Sequence, residues 1–173
     1  LRKTYPHAEL VGMDLGLFEH CLTGVMASPE RVLNQQVYKD VRTVTVSDFK
    51  DFNAVVHLAA ISNDPMGNSF EKITQEINCE SSISIARLAK QAGVSNYVFA
   101  SSCSVYGAAS AFAKTENDDL NPLTAYAKSK IDTETGLKDL ASNNFTITCL
   151  RFATACGFSD RTRLDLVLND FVA

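Results

Sequence analysis

Four short apolar runs constrain most what this chain can fold into. AELVGMDL (8–15), AVVHLAA (54–60), YVFASS (97–102) and FTITCLRF (145–152) are rich in β-branched and aromatic residues and show no regular polar alternation. A strand with one wet face alternates, whereas an unbroken apolar strand of this length suits a parallel sheet covered on both faces. Between the runs lie helical patterns. In FEKITQEINCESSISIARLAKQAGV (70–94), Ile73, Ile77, Ile83, Ile85, Leu88 and Ala92 recur at roughly helical spacing, and Gly93 supplies a stop. A second helix is predicted from Pro122 to about Asn143, and a third in LDLVLNDFVA (164–173). Strands and helices in this alternation predict βαβ units and a doubly wound parallel α/β sheet with right-handed crossovers.

The 173 residues suffice for one well-cored domain. A 46% hydrophobic and 21% charged content is that of an ordinary soluble globular protein, and a net charge of −4 gives no footprint for nucleic acid or an anionic membrane. No apolar run approaches the roughly 20 residues that a membrane-spanning helix needs. LRKTYPHAEL lacks the apolar core of a signal peptide. Cys21, Cys79, Cys103, Cys149 and Cys156 are odd in number and scattered, with no C-x-x-C or Cys/His spacing. They are expected to be small buried thiols in a reducing cytoplasm rather than metal ligands or a disulfide frame. His7, His20 and His57 are too dispersed to suggest a metal site.

Ligands of doubly wound sheets sit outside the carboxyl ends of the strands. Asp14, the segment His57–Ala60, the pair Ser101 and Ser102, and Thr154 all fall at those ends. A carboxylate at the position of Asp14 can accept from ribose hydroxyls, or can merely form a turn or cap a helix. Asp40, in KDVR (39–42), can accept from an adenine amino group or be half of a solvated ion pair with Arg42. In SSCSVYG (101–107), hydroxyls at a strand end can bond a substrate oxygen or cap the next element, with Gly107 permitting a turn.

TAYAKSK (124–130) places Tyr126 and Lys130 on one helix face, about one turn apart. A phenol with an unperturbed pKa of about 10 is a poor base at neutral pH, and bringing it near 7 takes roughly 4 kcal/mol in favour of phenolate. A surface-type pair with one lysine contributes at most about 1 kcal/mol. Acid–base work by Tyr126 therefore requires partial desolvation and a second positive charge, which an oxidised nicotinamide ring stacked nearby would supply.

Taken in order, these segments resemble the extended short-chain dehydrogenase/reductase family, in particular its nucleotide-sugar epimerases and dehydratases. The resemblance is carried by MDL with Asp14, DVR with Asp40, VVHLAA (55–60), IN with Asn78, FASSCSVYG (99–107), NPLTAYAKSK (121–130) with Glu134, and LRFATACG (150–157). It implies a Rossmann-like domain over 1–157 and the start of a substrate-binding region over 158–173. It also implies bound NAD, in preference to NADP because the Asp14 carboxylate would repel a 2′-phosphate. Tyr126 is then the catalytic acid/base, Lys130 holds the nicotinamide ribose, and Ser102 bonds the reacting oxygen. Asp14 falls on the adenosine ribose, Asp40 and Val41 beside adenine, and Leu58, Ala59, Ala60 and Ser101 along the cofactor. Asn78 is a supporting polar residue at the cofactor, and His57 orients the strand end. Cys103, Ser104, Thr154 and Arg161 fall on the substrate side, with Arg161 or Arg163 either pairing a substrate phosphate or standing solvated at a helix start. The implied partners are a nucleotide-sugar substrate and a second copy in a homodimer, with no nucleic acid and no membrane.

Some positions depart from the pattern. Family dehydratases commonly carry an acid two residues before the motif tyrosine, where this chain has Ser104. Elimination of water needs an acid and a base beyond Tyr126, so the departure favours epimerisation over dehydration or 4-keto-sugar reduction. Thr154 and Cys156 stand where the family usually has Asn and Tyr. The Gly-rich G-x-x-G-x-x-G turn that should precede Asp14 is not in this sequence, and LRKTYPH reads as the tail of the helix after such a turn. A first strand and phosphate loop are therefore expected before Leu1, and this span alone is expected to bind NAD weakly and turn nothing over. A non-catalytic cofactor-binding sensor or scaffold is the reading from another class, and the intact Ser102, Tyr126 and Lys130 argue against it.

Overall fold

The structure is a computed structural model that describes residues 1–21, 29–62, 70–108 and 112–155. It divides into two compact units, residues 1–40 and residues 41–155. In the first, β1 (Val11–Asp14) pairs in parallel with β2 (Gln35–Tyr38), Val11 opposite Gln35 and Asp14 opposite Tyr38. Arg2 ties this unit together by donating to the backbone carbonyls of Val32 and Ala8 and to the Asn34 side chain.

In the second unit β3 (Ala54–His57), β4 (Asn96–Ser102) and β5 (Thr146–Phe152) form a parallel sheet in the order β3-β4-β5. Ala54 lies opposite Asn96, and Ser102 opposite Phe152. The helices are α1 (Glu71–Gln75), which runs through a π turn (Glu76–Glu80) into α2 (Ser81–Gln91), and α3 (Ala125–Lys138). The parallel α/β architecture is the expected one. Each apolar run holds its strand, but β1, β2 and β3 are each only four residues long. β2 was not anticipated, because QQVY opens with two polar residues.

Tyr97 and Phe99 of β4 are buried with Ile85, Ala86 and Ala89 of α2, Leu137 of α3, and Phe145. Burying each large side chain contributes roughly 1.5–3 kcal/mol. Tyr97 keeps its hydroxyl satisfied by donating to the Ser82 carbonyl, and burial pushes its pKa well up. Coverage of both faces, expected from the unbroken runs, is realised within this unit on one face only. Val56, Leu150 and Phe152, on the same face as Val98, Ala100 and Ser102, remain exposed.

The first predicted helix is correct in extent but not in phase. Ile73 is 43% exposed, while Thr74, Asn78, Ser81 and Ser82 are buried. The buried positions Thr74, Asn78, Ser82 and Ala86 follow one another four apart, so one stripe runs through α1, the π turn and α2, offset from Ile73 and Ile77. The stop at Gly93 is a Schellman motif: Val94 N–H bonds Ala89 O and Gly93 N–H bonds Lys90 O, with Gly93 at φ 91°. α3 starts later than predicted because Thr124, in extended conformation, is its N-cap and accepts from Ala127 N–H. It ends at Lys138, where the chain turns into the Ser142–Phe145 bridge. The helix predicted over 164–173 lies outside the described residues.

Of the thiols among the described residues, only Cys79 is fully buried. Cys21 and Cys103 are exposed and Cys149 is half-buried, all four free, which corrects the expectation of buried cysteines. Cys156 lies outside the described residues. No helix among the described residues is long and apolar enough to cross a membrane.

Candidate active site

β4 delivers Ser101 and Ser102 to the carboxyl edge of its sheet on opposite faces. The chain then makes a short 3-10 turn over Cys103–Tyr106. Ser102 is the N-cap of that turn: its Oγ accepts from Ser104 N–H at 3.2 Å and from Ser104 Oγ at 2.9 Å. With two bonds accepted, its own proton is the group left to donate. The turn closes on Gly107, at φ 76°, where an added Cβ would lie 2.1 Å from Asn121 O. Only glycine fits there, and the contact ties the turn to the segment leading into α3.

Tyr126 sits half-buried in the first turn of α3, and Lys130 follows one turn later. The Lys130 side chain is 2% exposed. Its Nζ donates to Ala100 O at 2.7 Å and lies 4.7 Å from the Phe99 ring centroid and 5.4 Å from that of Tyr126. Burial pulls its pKa down to about 8. That corresponds to about 3 kcal/mol against the charged form at pH 7, more than a desolvated cation–ring contact of about 2 kcal/mol returns. Burial thus holds this ammonium at a net cost to the fold.

Below this pair, His57 is stacked with Tyr97 and Phe99, and its Nε2 lies 2.8 Å from Ser82 Oγ. Ser82 Oγ donates to Asn78 O at 2.7 Å, so Nε2 carries the proton. Burial, and secondarily the Lys130 charge, pulls the His57 pKa down to about 4. It is a neutral structural group at the strand end.

One further turn along α3, Glu134 accepts from Ser101 Oγ and from Arg151 Nη2 (2.7 Å) and Nε (3.1 Å). Arg151 Nη1 donates to Tyr106 OH at 2.9 Å, with the guanidinium over the Tyr106 ring. Burial works against the Glu134 carboxylate, but the bonds from Arg151 and Ser101 outweigh it and hold its pKa below the ordinary carboxylate value. Ser101 is thus buried, with its hydroxyl donated to Glu134. No role for Arg151 was read from the sequence, though a lone charge within an apolar strand run is a visible signal. An open cavity of about 810 Å³ beside this cluster is lined by Cys103, Tyr106, Phe112, Arg151 and Phe152, among others. Ser102, Tyr126 and Lys130 do not line it.

Leu58, Ala59 and Ala60 follow β3, with Leu58 exposed and the alanines half-buried. Asn78 is fully buried: its Oδ1 accepts from Ile61 N–H at 2.8 Å, and its Nδ2 donates to Ile61 O at 2.9 Å and Ser129 Oγ at 3.3 Å. It is a strut that pins the post-β3 loop to α3, with its amide already occupied. Thr154 is exposed just beyond β5, and Ser104 is bonded to Ser102. In the unit of residues 1–40, exposed Asp14 accepts from Gly16 N–H at 2.7 Å, forming the turn that was its alternative reading. Asp40 is half-buried after β2. Val41 opens residues 41–155, packed against their core. Arg161 and Arg163 lie outside the described residues.

The class so defined is a helix-flanked parallel α/β protein with a serine at a strand end and a Tyr–Lys pair on a flanking helix. The chain belongs to the NAD dependent epimerase/dehydratase family, whose model matches residues 28–172. It is 29% identical over 133 residues to UDP-glucose 4-epimerase of Haemophilus influenzae, across 74% of this chain and 36% of that protein. In structure it is similar to UDP-glucuronic acid 4-epimerase from Bacillus cereus, solved in complex with NAD (TM-score 0.80, 25% identity, 96% of this chain and 55% of that one). It also shares its fold with TunA, an NAD-dependent NDP-hexosamine 5,6-dehydratase of tunicamycin biosynthesis (TM-score 0.81, 24% identity, 96% and 53%). The chain thus spans about a third of that curated relative and about half of those solved chains.

Proposed function

We propose that the full-length protein is an NAD-dependent nucleotide-sugar epimerase that oxidises a sugar hydroxyl transiently and reduces it from the other face. The observation that carries this reading is the buried ammonium of Lys130 beside Tyr126. One of its three protons goes to Ala100 O, and among the described residues no other acceptor takes the remaining two. That donor set fits the paired hydroxyls of a cofactor ribose, and it keeps a positive charge beside the phenol in a desolvated place. NAD, when bound, supplies the acceptor and then the donor of hydride at the sugar carbon. Tyr126 takes the hydroxyl proton and returns it, while Lys130 favours the phenolate form. Ser102, its lone pairs occupied by Ser104, donates its proton to the reacting oxygen. Asp14, Asp40, Val41 and the Leu58–Ala60 segment are the further cofactor contacts in this reading.

Epimerisation is favoured over dehydration because the Ser104 hydroxyl is committed to Ser102 and no carboxylate stands in its place. The test is conversion of UDP- and GDP-hexoses by the full-length protein, with products separated by chromatography. An epimer with no net consumption of NAD is the expected result. A 4-keto-6-deoxy product, or net oxidation of NADPH, would instead indicate a dehydratase or a reductase. Tyr126→Phe is expected to lower turnover at least about a hundredfold, and wild-type turnover in that variant would remove Tyr126 from the reaction. A homodimer is the assembly proposed for the full-length protein, to be checked by sedimentation.

A further inference from the structure

We propose that Glu134 is a positioning residue: with Arg151, it clamps the segment that carries Ser102 on both sides and holds it against the helix that carries Tyr126 and Lys130. The proposal rests on the epimerase reading for its catalytic consequence. Glu134 follows Lys130 by one helical turn, as Lys130 follows Tyr126, so all three lie along one face of α3. On one side of Ser102, Ser101 Oγ donates to Glu134 Oε1. On the other, Tyr106 OH accepts from Arg151 Nη1, and Arg151 is itself held by Glu134 through Nε and Nη2. Arg151 also reaches the Glu116 carbonyl at 3.4 Å. One carboxylate thus fixes, directly or through the guanidinium, the residue before Ser102 and the end of the turn after it.

A partly buried ion pair is weak grounds for a stabilising role, because desolvation offsets much of its attraction. Its geometric value is different. A bidentate fork defines distance and plane at once, and α3 meets the end of β4 through it. The donor direction of the Ser102 hydroxyl depends on the Cys103–Tyr106 turn staying formed, since Ser104 supplies both bonds that Ser102 accepts. Loosening the Tyr106 end of the turn frees that arrangement without touching Ser102, Tyr126 or Lys130.

The test uses the full-length protein with Glu134→Gln, which keeps the size and loses the paired acceptors, and Arg151→Lys, which keeps the charge and loses the fork. By hydrogen exchange, both variants should lose protection over residues 101–107 while α3 keeps its own. Unchanged protection there overturns the clamp, whether or not the protein is active. In turnover assays each variant should lower kcat by about tenfold to a hundredfold, with NAD affinity within about twofold of wild type. In a Ser102→Ala background, Glu134→Gln should cost less than about twofold, because the aimed hydroxyl is already gone. An undiminished cost in that background means that Glu134 does not act through Ser102, and overturns the proposal. Failure of the epimerase reading shows differently, as no turnover of any sugar nucleotide by the wild-type protein, with the exchange measurement still deciding the clamp.

Discussion

Replacing Lys130 with methionine should make the fold more stable while removing the function proposed for it. In the folded chain the ammonium titrates at about 8, against 10.5 in its ordinary state. The folded value is the lower one, so the unfolded chain binds more protons between those values and stability rises with pH through that window. Linkage puts the penalty at about 3 kcal/mol at pH 7 and about 1.5 kcal/mol at pH 9.5. Methionine removes the penalty and keeps a polarisable contact with the Phe99 ring, but it leaves Ala100 O without its donor, a loss of about 1–2 kcal/mol. The variant should therefore be more stable by about 1–2 kcal/mol at pH 7, and the advantage should shrink by nearly 2 kcal/mol at pH 9.5. Urea unfolding followed by circular dichroism at the two pH values measures both numbers. Tyr97 and Cys149 also titrate high, but they do so in both proteins and cancel in the comparison. A gap between variant and wild type that stays constant from pH 7 to 9.5 would refute the reasoning, because it would mean that the buried ammonium carries no desolvation penalty.

His57 gives the acid-side counterpart. Its folded pKa of about 4 lies below the ordinary 6.5, so stability should be lost as pH falls through that interval, by about 2 kcal/mol between pH 7 and 5. His57→Gln should show a correspondingly flatter urea-midpoint profile; parallel profiles would exclude His57 as the cause. Gly107→Ala, forced to φ 76° with its Cβ against Asn121 O, should destabilise by at least about 2 kcal/mol in the same assay. A change below about 0.5 kcal/mol would show that the turn can relax around a methyl group.

The parallel sheet was legible because VVHLAA, YVFASS and FTITCLRF have no polar alternation. β2 was not legible, since the glutamines of QQVY carry no apolar signal and only pairing with β1 makes it a strand. The face of α3 that meets the sheet was legible from its motif and not from its pattern. Besides Ala127 and Leu137 it buries Ser129, Lys130 and Thr133; the Ser129 hydroxyl donates to Tyr126 O and that of Thr133 to Ser129 O and Asn78 O, so hydrophobic periodicity has little to register. The Tyr126–Lys130 spacing could be read because both residues lie on one helix. Glu134 and Arg151 could not be joined, because they are 17 residues apart on different elements and only the packing of α3 on β5 brings them together. Asn78 was expected near the cofactor; its bonds to the N–H and C=O of Ile61, 17 residues away, are not revealed by residue spacing.

The π turn between α1 and α2 sets the rotation of one against the other. Each residue in a helix advances the side-chain direction by about 100°, so one extra residue rotates all that precedes it relative to all that follows. Before the turn Ile73 is exposed and Thr74 buried, within it Asn78 holds the loop after β3, and beyond it Ser82 meets His57. Deleting a single residue between Glu76 and Glu80 would not simply shorten the helix. It would rotate Thr74 and the residues before the cut by about 100° relative to Ser82 and those after it, and the buried stripe that now runs through both halves would be split although every residue of the Ser102, Tyr126 and Lys130 group was still present. The length of this helix is therefore a functional variable, as specific as the identity of any side chain on it.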